Sequence, residues 1–263
     1  MAVFCSLFSG SSGNSVYIQS GGDGILIDAG VSLRAITKAL EAIGAGMERV
    51  RAVFVTHEHS DHIRGLPVLA GHYDVPVYAS PGTVTGIAAE TGLSADRLTP
   101  LTTGCCAEVG QGLCVSSFPT SHDSRESVGF RIHLDGGDVA VATDLGLVDD
   151  SVWEGIRECR LVMLESNHDV GMLCNGRYPY FLKRRILSRT GHLSNDDCAA
   201  VLPELAQEGT AHFVLAHLSR DNNFPELAVE TSVAQMKLHH LTADQDYTIE
   251  AAPRTGPGRV YRL

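Results

Sequence analysis

Val53-Phe-Val-Thr-His-Glu-His-Ser-Asp-His62 sets an apolar run against a cluster of side chains that can hold metal. The run has the composition of a buried strand and ends at Thr56. His57, His59, Asp61 and His62 then follow within six residues. Residues two apart in an extended segment point the same way, so His57 and His59 can converge on one ion. Asp61 and His62 stand where the chain turns and can face a second ion beside the first. Imidazole and carboxylate suit divalent zinc, manganese or iron alike. A single histidine here would read as a loop residue capping a strand. Four ligand types packed this closely read as a metal site.

Outward from this stretch, other apolar runs end the same way. His122 follows LCVSSFPTS, Asp144 ends DVAVAT and His217 ends HFVLA. Asp28 closes GILI with Gly30 just behind it, and a carboxylate there can orient a ligand imidazole through its second nitrogen. Taken singly, each could be a capping residue. Together with the central cluster they supply the further ligands that two ions need.

Further strands are expected at VFCSLF, SVYIQ, PVYAS, VGFRIHL and LVMLES. Helical periodicity marks Leu33 to Ile43, Asp197 to Gln207 and Pro225 to Lys237. Strands interleaved with helices predict α/β layers. The halves meet near Asp123, but no linker composition marks that point, so one domain over 1–263 is expected. There is no short repeat and no low-complexity segment.

The net charge of −11 excludes a surface that grips nucleic acid everywhere, though not a local basic patch. The start, MAVFCSLFSG, lacks the cationic region of a signal peptide, and no window of 18 apolar residues occurs. A cytoplasmic protein with no membrane association is expected. The seven cysteines are odd in number and none are spaced CxxC, which reads as reduced thiols.

THEHSDH, the strand-ending Asp before it, and the isolated His, TD and final His after it resemble the metallo-β-lactamase superfamily. The match runs from Asp28 to His217. The resemblance implies a four-layer αββα sandwich. It assigns His57, His59 and His122 to one ion and Asp61, His62 and His217 to the other, with Asp144 as the bridge. SGSSGNS, LIDAGVS, TDLG, ESNHDV, YPYFLKRRI, GHLSN and AHLSRDNN resemble more specifically the YycJ/WalJ branch, described as DNA exonucleases. The branch leads one to expect an acidic residue after ESNHDV, whereas Gly171 stands here.

A water shared by two divalent ions about 3.5–4 Å apart becomes acidic enough to attack at neutral pH. Such a site can hydrolyse phosphodiesters, thioesters, lactones or β-lactams, so the substrate must be read elsewhere. Lys183, Arg184 and Arg185, with Arg177 and Arg189 near, form the densest basic run, and Tyr178, Tyr180 and Phe181 precede it. Cations and aromatics side by side suit phosphates and bases, although a solvated helix face would give the same pattern. SGSSGNS can present free N–H groups to an anion, with Ser11, Ser12 and Asn14 as contacts, or can be an ordinary hairpin turn. Asp61 is a catalytic candidate, and His192 or His168 could protonate the departing oxygen.

The leading expectation is a metal-dependent phosphodiester hydrolase, a 5′-to-3′ DNA exonuclease. The alternatives are a small-molecule or cyclic-nucleotide phosphodiesterase, a thioester, lactone or lactam hydrolase, and a non-catalytic binding module on the same fold. RNA-processing relatives often carry a large insertion between the bridging Asp and the last His. Asp144 and His217 are only 73 positions apart, which leaves no room for one.

Overall fold

Apolar runs become strands, among them Val139–Ala142 and Leu161–Glu165, which are buried along their whole length as parallel strands covered on both faces are. In order these are β1 (Ala2–Phe8), β2 (Ser15–Ser20), β3 (Asp23–Ile27), β4 (Val50–Val55), β5 (Val77–Ala79), β6 (Leu98–Pro100) and β7 (Cys106–Val109). They continue as β8 (Leu113–Pro119), β9 (Val128–His133), β10 (Val139–Ala142), β11 (Leu161–Glu165), β12 (His212–Ala216), β13 (Thr248–Ala251) and β14 (Tyr261–Arg262). The computed structural model describes residues 2–110 and 112–263.

The chain divides into two compact units. One comprises Met1–Pro119, Ser124–Gly136 and Pro253–Leu263; the other comprises Thr120–Asp123 and Gly137–Ala252. The first unit holds a mixed sheet in the order β14-β1-β2-β3-β4-β5-β6. Its antiparallel part gives way at β3 to a parallel part, in which Ile27 lies beside Phe54 and Val55 beside Ala79. Helices α1 (Leu33–Ala42), α2 (Ser60–Ile63), α3 (Leu66–His72) and α4 (Pro81–Thr91) belong to this unit. Helix α1 starts where Ser32 accepts a hydrogen bond from Ala35 N, and it buries Ile36, Ala39 and Leu40, the spacing of one helical face. These pack with Leu26, Val53, Val55 and Leu69 in one core cluster.

In the same unit β7, β8 and β9 form an antiparallel ribbon. It corrects the expectation of seven reduced thiols: Cys106 and Cys114 are joined as a disulfide, with Cα atoms 6.1 Å apart. In the β7–β8 hairpin Cys106 stands opposite Ser116 and Cys114 opposite Glu108, which sets the two cysteines on a diagonal, a proximity that linear spacing does not reveal. Cys5, Cys159 and Cys198 are buried thiols, and Cys105 and Cys174 are exposed ones.

The second unit carries β10 to β13 side by side and all parallel. Its helices are α5 (Asp150–Ile156), α6 (Val170–Asn175), α7 (Tyr180–Ile186), α8 (Asn195–Gln207) and α9 (Pro225–Leu238). Register places Ala142 beside Leu164 and Glu165 beside Ala216, so the strands finish level. In each unit the C-terminal ends of parallel strands therefore release their next residues together, the usual position for a site on such sheets. Among the described residues no helix is long and apolar enough to cross a membrane.

Candidate metal centre

Three residues just past strand ends, Asp28, Asp144 and His217, have positive φ of 62°, 56° and 54°. A side chain in this left-handed region is strained, and it persists only where the surroundings impose it. All three were singled out as metal-site residues in the sequence.

In the first unit, loops after β1, β3 and β4 are knit together by backbone hydrogen bonds. Asn14 N donates to Asp61 O at 2.8 Å, Gly30 N to Asn14 O at 2.9 Å and Ala29 N to His62 O at 2.9 Å. Gly30 is required by this approach, because a Cβ there would lie 1.6 Å from Asp61 O. His62 is fully buried, and its Nδ1 donates to Asp28 Oδ2 at 2.8 Å. The other Asp28 oxygen accepts from Thr56 N at 2.9 Å. Thr56 Oγ1 lies 3.1 Å from Nδ1 of both His57 and His62. His57 Nε2 and His59 Nδ1 are 3.0 Å apart, and Asp61 Oδ2 lies 3.7 Å from His62 Nε2. The structure thus brings His57, His59, Asp61 and His62 together around a buried Asp28 and Thr56.

Asn14 is itself buried, and its Nδ2 is 3.1 Å from His62 Nε2 and 3.5 Å from Asp61 Oδ2. Its neighbours Ser11 and Ser12 are exposed, and Arg64 donates to Ser12 O at 3.3 Å.

In the second unit, one ligand atom from each of Asp144, Glu165, His192 and His217 falls within 4.8 Å of the others. Glu165 organises them. Its Oε1 accepts from His192 Nδ1 and from His217 Nδ1, each at 2.8 Å, and its Oε2 accepts from Leu145 N at 2.9 Å. Burial alone would raise the Glu165 carboxyl, but the charge of His192 and hydrogen bonds from His192 and His217 outweigh it and hold it down to about 2. His192 is itself pulled down by burial but carried above its ordinary value by Glu165. His122 Nδ1 faces Gly191 O at 3.1 Å, and its Nε2 lies 3.8 Å from Asp144 Oδ1. Burial is the main cause that lowers the His122 pKa.

Glu165 was not singled out in the sequence, although the available signal was the one that exposed Asp28: an apolar strand, LVMLE, ending on a carboxylate. Thr56 and Asp123 were missed as well, because neither ends a strand on a ligand-type side chain of the expected pattern.

Behind these ligands runs a buried amide network. Ser166 Oγ donates to Asn195 Oδ1 at 2.7 Å, and Asn223 Nδ2 donates to the carbonyls of Ser166 at 2.9 Å and Asn167 at 3.0 Å. Asn167 Nδ2 donates to His217 O at 2.7 Å. ESNHDV, GHLSN and AHLSRDNN thereby meet at one place and fix the backbone under His192 and His217. His168 lies in this region with its side chain sealed from solvent, 1% exposed. Neither ring nitrogen has a hydrogen-bond partner among the described residues, and burial lowers its pKa.

The basic run is α7. Lys183 Nζ donates to the carbonyls of Cys174 at 2.8 Å and Gly176 at 2.7 Å. Arg185 Nη2 donates to Asp123 Oδ1 at 2.9 Å, and that oxygen is 3.4 Å from His122 Nε2. Arg184 lies over the Tyr180 ring, 6.0 Å from its centroid.

The donor set fits metal ions. His62 and His217 give Nδ1 to a buried carboxylate, His122 gives Nδ1 to a carbonyl, and His57 Nδ1 meets Thr56. Such partners fix the tautomer that keeps a lone pair on Nε2 for a cation. Buried carboxylates next to these nitrogens carry charge that divalent cations balance. The two clusters thus suit two divalent metal ions, and a metal-dependent hydrolase is what they equip.

A family model described as a β-lactamase superfamily domain matches residues 24–218. The exodeoxyribonuclease YycJ of Bacillus anthracis is 40% identical over 89% of this chain and 88% of its own. The exodeoxyribonuclease WalJ of Streptococcus pneumoniae serotype 2 is 35% identical over 95% of this chain and 94% of its own. Among solved structures, zinc-bound PqqB of Methylobacterium extorquens superposes with a TM-score of 0.71 at 17% identity over all of both chains. The metallo-β-lactamase fold protein YhfI of Bacillus subtilis gives 0.69 at 15% identity, covering 99% of this chain and 98% of its own. The fold is accordingly the αββα sandwich, two mixed sheets flanked by helices. The chain belongs to the metallo-β-lactamase superfamily, in its YycJ/WalJ-like branch.

Proposed function

We propose that the protein is a DNA exonuclease that cuts phosphodiester bonds in the 5′-to-3′ direction. The observation that carries this reading is 40% identity, over 89% of the chain, to a protein named as an exodeoxyribonuclease. The metal clusters support it, since phosphodiester hydrolysis needs an activated water and a sink for negative charge.

In this reading His57, His59 and His122 hold one cation, Asp61, His62 and His217 hold the other, and Asp144 serves both. Zinc, manganese and iron all suit the donors. When bound, such ions supply an acidified water and stabilise charge on the attacked phosphate. Asp61 is both ligand and catalytic carboxylate. His192 is the acid that hands a proton to the departing sugar oxygen. It is preferred over the alternative, His168, because its side chain keeps 16% exposure while His168 is sealed.

Ser11 and Ser12 contact phosphate from their exposed turn, while Asn14 serves by holding Asp61 and His62. Lys183, Arg184 and Arg185 provide a local positive field. Among the described residues Lys183 donates to two carbonyls and makes no ion pair, whereas Arg185 shares its charge with Asp123. The reading implies a cytoplasmic enzyme and treats residues 1–263 as one folding domain.

The test uses metal-loaded protein with DNA and RNA labelled separately at each end, beside a thioester, a lactam and a cyclic nucleotide. Stepwise release of label from 5′ ends of DNA is expected. Turnover of a small substrate with both nucleic acids left intact would overturn the reading.

A further inference from the structure

We infer that reducing the Cys106–Cys114 disulfide opens a further metal site, of the zinc type, on the solvent face of the β7–β8–β9 ribbon. Its ligands are Cys106, Cys114, His133 and Glu108. The inference goes beyond the nuclease reading and does not depend on it, because these residues lie outside the His and Asp clusters described above.

Alternation along the three strands sorts the ribbon into two faces. Ala107 on β7, Val115 on β8 and Ile132 on β9 are buried, as are the residues two positions from each on the same side. The other face carries Cys106, Glu108, Cys114, Ser116, Arg131 and His133, all exposed or half-buried. Cysteine is among the residues most often sealed in a core, so two on a solvated face stand out. Four of the six residues on this face are ligand types for zinc.

Register sets those four next to one another. Glu108 on β7 and His133 on β9 stand directly opposite Cys114, one from each side. Cys106 is one pair further along, opposite Ser116. His133 Nε2 lies 3.0 Å from Ser116 Oγ, so the ring leans across β8 towards the cysteine pair. That nitrogen exchanges the hydroxyl for the ion. The two cysteine Cα atoms are 6.1 Å apart. Zinc holds each sulfur at about 2.3 Å, which in a tetrahedral set leaves the two sulfurs roughly 3.7 Å apart. The diagonal that admits a bond between the sulfurs therefore admits an ion between them, by rotation of the side chains.

The chemistry balances. A thiol reductant gives two electrons and two protons to the bond and becomes a disulfide itself, leaving Cys106 and Cys114 as thiols. Each thiol loses its proton to solvent as its sulfur takes the cation. Two thiolates and the Glu108 carboxylate carry three negative charges, and a neutral His133 adds none. The ion brings two positive charges and Arg131, on the same face, brings one. Thiolates with an imidazole favour zinc over magnesium or calcium, which take oxygen ligands.

The experiment adds cobalt(II), as a probe for zinc sites, to metal-stripped wild-type protein in two states. One is left oxidised and the other is reduced with a phosphine, which takes oxygen from water as the two sulfurs take its hydrogens. The readout is the thiolate-to-cobalt charge-transfer band, which the sulfur-free His and Asp clusters cannot give. The band is expected in the reduced protein alone, bleached by zinc and lost on reoxidation. Because both states are one chain, a folding defect in a variant cannot mimic this result. Cys114→Ser is expected to abolish the band, and His133→Ala to weaken cobalt binding about tenfold or more. Cys105→Ser, which alters the exposed thiol next to Cys106, is expected to leave it intact. Absence of the band from reduced wild type would overturn the inference. So would a band that persists at wild-type affinity in Cys114→Ser or His133→Ala, or one that vanishes in Cys105→Ser. None of these results bears on whether the protein cuts DNA.

Discussion

Two carboxylates, Asp28 in the first unit and Glu165 in the second, do the same work. Each gives one oxygen to histidine Nδ1 and the other to a backbone N–H. Replacing Glu165 with Gln keeps the shape and removes the charge that orients two imidazoles. Metal affinity is expected to fall about 10- to 100-fold, read by competition with a chromogenic chelator. An affinity equal to wild type would remove Glu165 from the centre. His168 offers a test by pH. Its folded pKa lies below the ordinary 6.5, so below that pH the unfolded chain takes up a proton that the folded chain refuses. Its contribution to stability is complete above pH 6.5 and lost as pH falls towards the folded value. His168→Asn is expected to flatten the decline in stability between pH 6.5 and 5 by up to about 1.4 kcal/mol per pH unit, measured by urea unfolding. An identical slope in both proteins would contradict this.

At the scale of elements, the site is a set of strand ends locked by loop-to-loop bonds. Gly30→Ala puts a methyl into Asp61 O, so the loop carrying Asp61 and His62 must move. A loss of about 2–3 kcal/mol is expected in unfolding, together with weakened metal retention. Asn223→Ala removes the donor to two strand-end carbonyls and should cost about 3 kcal/mol.

How much of this the sequence reveals depends on range. HEHSDH and the strand-ending Asp28, Asp144 and His217 are legible because each is a local pattern, an apolar run closing on a ligand. Helices α1, α8 and α9 show in their periodicity. Helix α7 does not read as an amphipathic helix, because only Ile186 is buried, Tyr180 and Phe181 face water, and Lys183 and Arg185 tie it down by polar contacts. The double role of Glu165 is hidden too, since it arises only when β11 lies next to β12. Likewise the pairing of Cys106 with Cys114 is a property of the hairpin. Asn14 looks like a phosphate contact in SGSSGNS, yet its amide lies against His62 and Asp61, a fact of tertiary structure alone.

On the scale of the whole molecule, a net charge of −11 opposes binding to DNA, and the acid-free segment around α7 counters it locally. The central claim is that divalent cations held by the two clusters make this chain a nuclease. The most direct measurement titrates manganese or zinc into chelator-stripped protein while following both bound metal and release of 5′-end label from DNA. The account predicts no release at zero metal, and full activity only as binding approaches two ions per chain. Undiminished cutting by the stripped protein, or two bound ions with no cutting of nucleic acid, would contradict it.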